Sequence, residues 1–141
     1  SRVGSKAQLK AYKQVAGKLG IEYSQFEELE MFSKFATKLD EETKRTIDRG
    51  QRIREILKQN KSDTVSAEGQ VAIILCIKAG IFDMVELKDV KKLEKLIINT
   101  IENEYPIIVE SIRKNEKLSD EFMKAFTDLI KSKITTEEWK A

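Results

Sequence analysis

The sequence predicts an all-α fold, a bundle of about six to seven helices with short connections. Three observations predict it. Apolar residues recur at spacings of three and four along nearly the whole chain, strict apolar–polar alternation is almost absent, and helix-start residues (Asp40, Ser66, Ser119) and helix-stop glycines (Gly20, Gly80) punctuate the periodic runs.

The first segment, residues 5–19, places Leu9, Tyr12, Val15, Ala16 and Leu19 on one face and is expected to stop at Gly20, with Gly17 weakening its end. The second, residues 23–37, carries the stripe Phe26, Leu29, Phe32 and Phe35, read as core. The third opens at Asp40, whose side chain suits an N-cap, with Glu41 and Glu42 favourable to the helix dipole. It runs to about Gln59 through Ile47, Ile53, Ile56 and Leu57. Gly50 in its middle costs about 1 kcal/mol relative to alanine, so a close neighbour or a bend is expected there. Residues 60–65 read as a polar loop.

A fourth helix, from the Ser66 cap to Gly80, is apolar on most sides and is the expected central buried element; a strand is the competing reading of Val71 to Ile77. The fifth, residues 87–104, aligns Val90, Leu93, Ile97 and Ile101. Pro106 ends it or opens a sixth, short helix to Asn115. The seventh starts at Ser119 and repeats Phe122, Phe126, Leu129 and Ile130; the tail after Ile134 is expected to fray.

Composition narrows the chemistry. The 141 residues suit one domain spanning residues 1–141, and 40% hydrophobic with 35% charged residues is a globular balance. With no histidine and one cysteine, the chain has no Ser-His or Cys-His catalysis, zinc finger, His-ligated metal or internal disulfide. The longest apolar run, Val71 to Ile77, is far short of the roughly 20 residues that span a bilayer. A charge of +2 gives no global argument for nucleic acid or membrane. The chain starts at Ser1 without a signal-peptide pattern, and a piece of a longer protein is the expectation.

Four local features remain. Asp40, Glu41 and Glu42 are adjacent at a helix start and point in different directions, so they read as a capped, solvated tip rather than an acid–base pair. Arg2, Lys6, Lys10 and Lys13 form a basic stripe suited to phosphate contact or, more plainly, to solvent; no aromatic residues interleave with it for base stacking. Cys76 lies in the apolar fourth helix and reads as a buried structural thiol. No glycine-rich phosphate loop is present. The residues alone therefore describe a helical interaction domain.

Particular motifs carry a closer likeness. Ser1-Arg2-Val3-Gly4-Ser5, Ala7-Gln8 and Lys13-Gln14-Val15-Ala16-Gly17 are followed by Phe32, Phe35, Leu39-Asp40 and Thr43. Then come Arg49-Gly50-Gln51-Arg52, Glu55-Ile56-Leu57-Lys58-Gln59, Gln70-Val71, and Gly80 with Asp83. Together they resemble the C-terminal helical domain of the α subunit of F-type ATP synthases; beyond about residue 85 the likeness is one of helical pattern and length.

The resemblance implies roles. Arg2 matches an arginine finger supplied in trans to the catalytic site of the neighbouring β subunit, and Ser1 the position beside it. Fingers of this kind are worth about 10³–10⁵ in rate. Gln59 matches a residue at the adenine of the non-catalytic nucleotide on α; Lys61 stands where the family places a second glutamine, which makes the contact partial. Asp40, Glu41 and Glu42 match the tip that meets the central stalk. The implied partners are β subunits and the γ central stalk, with no nucleic acid and no direct membrane insertion.

The implied cofactors are ATP or ADP with magnesium in the full complex, none in this piece, and no metal site here. The implied activity is support of proton-gradient-driven ATP synthesis, with the isolated chain inactive and its former interface free to oligomerise. The implied location is peripheral to an energy-transducing membrane: a bacterial cytoplasmic, mitochondrial matrix or plastid stromal face. A P-loop roughly 170–210 residues upstream is expected. The alternative is an unrelated regulatory or nucleic-acid-binding module using the lysine stripe, which would bind DNA with steep salt dependence.

Overall fold

A computed structural model describes residues 9–17, 19–35, 38–62 and 65–140. All regular structure among them is helical, as the periodicity predicts. The helices are α1 (Lys10–Ala16), α2 (Leu19–Ser33), α3 (Glu41–Ser62), α4 (Ala67–Lys78), α5 (Val90–Glu104), α6 (Pro106–Arg113), α7 (Asp120–Lys133) and α8 (Glu137–Lys140). Two single 3-10 turns, Phe82–Met84 and Leu87–Asp89, shape the corner between α4 and α5; neither was foreseen.

α4 is the axis of the core. Val71, Ala72, Ile73, Ile74, Leu75, Cys76 and Ile77 are all buried, so the continuous apolar run is a helix surrounded on every side rather than a strand. Ser66 caps it by accepting from the Gly69 N–H at 3.2 Å. α1 and α5 pack closely on α4, and α6 and α7 close the remaining sides. α5 turns Val90, Leu93, Ile97 and Ile101 inward, as their spacing predicts. Pro106 occupies the first turn of α6, where its missing N–H costs nothing. Ser119 caps α7 on the Phe122 N–H at 3.1 Å. Tyr105, Phe122 and Phe126 cluster with ring centroids 5.1–5.6 Å apart, Tyr105 meeting both phenylalanines edge-on.

Five expectations are corrected. Gly17, with φ 43°, makes the left-handed turn that closes α1 at Ala16, so α2 begins at Leu19 and Gly20 lies inside it. The second helix thus ends at Ser33 rather than at residue 37. Its aromatic stripe is not core throughout: Phe26 is buried under α3, but Phe32 and Phe35 are 61% and 84% exposed. The reason is the partner. α3 is highly charged, and Phe26, seated against Gly50, is the one fully buried side chain among the described residues of α2.

α3 also outlasts its predicted end and reaches Ser62, which shortens the polar loop. The tail does not fray. α8 folds back, Trp139 is half-buried, and Lys92 Nζ sits 4.4 Å above the indole centroid while donating to the Trp139 carbonyl.

The chain order also makes long-range ties that pattern does not reveal. Asn115, with φ 66°, ends α6 in the left-handed conformation. Its Oδ1 accepts from the Lys10 N–H at 2.8 Å and so caps the start of α1. Gln14 of α1 exchanges two hydrogen bonds with the Leu118 backbone, each 2.8 Å. No helix among the described residues is long and apolar enough to cross a membrane.

Candidate functional site

α3 carries the site. It has 22 residues, which at 1.5 Å per residue makes it about 33 Å long. Its N-terminal end holds the acidic tip. Asp40 caps the helix by accepting from the Thr43 N–H at 2.7 Å. Thr43, through its side chain and then its backbone, holds the Asp40 carboxyl below the usual aspartate range, so Asp40 stays ionised. Glu41 and Glu42 are exposed in the first turn. Glu41 reaches Lys44 only loosely, at 3.9 Å. Such exposed charges favour the helix dipole and leave their remaining field for a partner. Nothing buries this trio, which agrees with a contact tip and not with acid–base chemistry.

Gln59 lies on the same helix near its other end, about 28 Å from the tip at the helical rise; its side chain and that of Lys61 lie outside the described residues. Arg2 and Ser1, with Lys6 of the basic stripe, lie outside them as well. Lys10 and Lys13 stand exposed on α1. The predicted site residues are therefore not gathered into one pocket. Those the structure describes mark the two ends of one long helix.

Between those ends lies a feature the sequence reading passed over except as a motif. Four of the six arginines of the chain are in α3, and three of them bind other elements. Arg54 forks onto Glu30 of α2, at 2.6 and 3.0 Å, and donates to Tyr23 Oη at 3.2 Å. Its guanidinium carbon lies 4.8 Å from the centroid of the Phe26 ring. These bonds hold the Glu30 carboxyl below its ordinary range and raise the Arg54 guanidinium further, the Glu30–Arg54 hydrogen bond being the main cause of both.

Arg49 donates to Asp83 at 2.8 Å and to the Ile77 carbonyl at 2.9 Å, and pairs with Glu22 of α2 at 3.4 Å. Arg52 places two guanidinium nitrogens on the Val85 carbonyl, at 2.9 and 3.0 Å. The signal was present in the sequence: arginines at helix positions 49, 52 and 54, where lysine dominates everywhere else, point to forked contacts that an ammonium cannot make.

Cys76 is buried and its thiol is pushed well above the ordinary range by desolvation, which makes it an inert core residue. No group of metal-ligating side chains occurs among the described residues.

Comparison with known proteins gives the family. The family model described as "ATP synthase alpha/beta chain, C terminal domain" matches residues 8–133. The chain is 42% identical over 137 residues to a protein named ATP synthase subunit alpha 2 from Syntrophus aciditrophicus, covering 97% of this chain and 26% of that protein. It is 42% identical over 132 residues to ATP synthase subunit alpha, sodium ion specific, of Acetobacterium woodii, covering 94% and 26%. Against ATP synthase subunit alpha 2 of Syntrophotalea carbinolica it is 45% identical over 121 residues, covering 86% and 23%. It spans about a quarter of the length of these curated relatives. With the family model matching most of its length and an all-helical fold, the chain belongs to the C-terminal domain family of the ATP synthase alpha and beta chains.

Proposed function

We propose that this chain acts as the C-terminal helical domain of an α-type subunit in a rotary ATP synthase ring, coupling ATP turnover to an ion gradient of protons or sodium ions. The observation that carries this is the family match over residues 8–133, joined to a 22-residue helix with an exposed acidic end. In this role α3 is a lever. Asp40, Glu41 and Glu42 meet the basic shaft of the central stalk, and the packed helices pass the push toward the nucleotide domain. Each exposed charge pair adds only about 0–1 kcal/mol, so the tip serves register and steering more than adhesion.

Arg2 supplies the finger. Its planar guanidinium spreads charge over the transferring phosphoryl oxygens of the adjacent β site and stays charged through the whole working pH range. Ser1 sits beside it. Gln59 offers one amide to the adenine of a nucleotide held by the α subunit itself. ATP or ADP with magnesium supplies the phosphoryl chemistry, and β subunits supply the rest of the catalytic site. The assembly is peripheral to its membrane, which it meets through other subunits.

The test pairs two measurements. The gene encoding this chain is predicted to place a G-x-x-x-x-G-K-[ST] phosphate loop upstream of Ser1, and the purified 141-residue chain to show no magnesium-dependent ATP hydrolysis. A parent gene without that loop, or hydrolysis by the pure chain, contradicts the proposal. Steep salt-dependent DNA binding would support the alternative module instead.

A further inference from the structure

Two packing groups meet at α3. α2 and α3 lie along one another, locked by Phe26 under Gly50 and by the Arg54–Glu30 fork. The other helices gather round α4. Ile53 and Ile56 of α3 enter the shared core, but the backbones of α3 and α4 make few close approaches; α3 comes nearest to α5 and to the Phe82–Met84 turn.

Among the described residues, arginine bonds cross this seam and converge on one corner. Ile77 lies in the last turn of α4, and Val85 follows the 3-10 turn that leads toward α5. Arg49 holds the carbonyl at one end of this corner and Asp83 within it; Arg52 holds the carbonyl at the other end. Arg49 also holds Glu22, so one guanidinium joins α2, α3, the end of α4 and the turn. A rigid fork with several donors can satisfy such a set; an ammonium on a flexible stem cannot hold it in fixed geometry.

We infer that Arg49 and Arg52 are the clamp through which movement of the α3 tip reaches the corner between α4 and α5. They are positioning residues for coupling, acting on the lever and not on the nucleotide. The inference rests on the lever role proposed above. A clamp differs from a general stabilising contact in what its loss does. A slack transmission still turns over freely when nothing opposes it, and fails under load.

The experiment uses the assembled rotary complex in closed vesicles, with Arg49→Gln, Arg52→Gln, the double variant and Asp83→Asn. With the gradient dissipated, hydrolysis is expected to stay within about twofold of the parent. With the gradient allowed to build, the sustained gradient is expected to fall by about half or more in the double variant and by less in each single one. Asp83→Asn, which spares both carbonyl bonds, should give part of the Arg49→Gln loss, and combining the two should add nothing to Arg49→Gln. Arg49→Lys should not restore the gradient.

A parental gradient in the double variant overturns the clamp. So does an equal fall of hydrolysis with and without load, which marks a merely structural defect. Glu41→Gln with Glu42→Gln, measured beside these variants, separates the two ideas: a parental gradient under load there removes the lever reading and the clamp with it. A gradient loss in the tip variant beside a parental gradient in the Arg49→Gln/Arg52→Gln double variant removes the clamp alone.

Discussion

Gly50 of α3 rests on the ring of Phe26 of α2: a Cβ placed on Gly50 would lie 1.9 Å from Phe26 Cγ and 2.0 Å from its Cδ1. No side chain fits in that space, so glycine is what lets the two helices close. The gain in burial outweighs the helix-propensity cost of about 1 kcal/mol.

Gly50→Ala is therefore expected to destabilise the domain, although alanine is the better helix former. Overpacking of this kind costs about 1–3 kcal/mol, read as a lower midpoint in urea. Phe26→Leu in the same chain should recover part of the loss by freeing the space. A Gly50→Ala chain as stable as the parent would show that α2 is not seated as described.

The Ser66 cap gives a second, simpler expectation. Its hydroxyl accepts from the Gly69 N–H at the head of the central helix. Ser66→Ala should cost about 1 kcal/mol and Ser66→Thr, which keeps the hydroxyl that also donates to Glu102, should cost less. Equal stability of all three by thermal unfolding would remove the cap from the account.

Glu68 predicts an acid dependence. Its carboxylate is 2% exposed and lies 2.7 Å from Arg113, itself 63% exposed on the side chain. Burial works against ionisation, but the Arg113 hydrogen bonds and charge, with the local backbone and Ser66, outweigh it and leave the Glu68 pKa lowered. The unfolded chain therefore takes up the proton first as pH falls. The pair contributes fully above the ordinary glutamate range, and its contribution is lost as pH drops through the lowered value. Thermal midpoints of the parent and Glu68→Gln should differ near neutrality and converge in acid. A constant gap across that range would contradict the pairing.

How much of this was legible in the sequence depends on which force set each feature. Caps and buried faces were readable because they are local: Asp40, Ser66, Ser119 and the Val90–Ile101 stripe act within a turn or a face of their own helix. Gly50 announced a close neighbour without naming Phe26. The exposed Phe32 and Phe35 were misread because periodicity reports a helix and not what covers it. The Asn115 cap on Lys10 spans 105 positions, and the bonds of Arg49 and Arg52 end largely on backbone carbonyls. A carbonyl leaves no residue type to recognise. Asp40, Glu41 and Glu42 were singled out as an adjacent acidic cluster, but their separation from Gln59 by most of α3 needed the structure.

The central claim is that this chain lends one arginine to a reaction it cannot perform alone. Arg2→Lys in the assembled complex keeps the charge and loses the fork. Steady-state ATP turnover, measured beside nucleotide affinity at the catalytic sites, tests it most directly. The account predicts a fall in turnover of about 10³ or more with affinity changed only a few-fold; turnover close to that of the parent would contradict it.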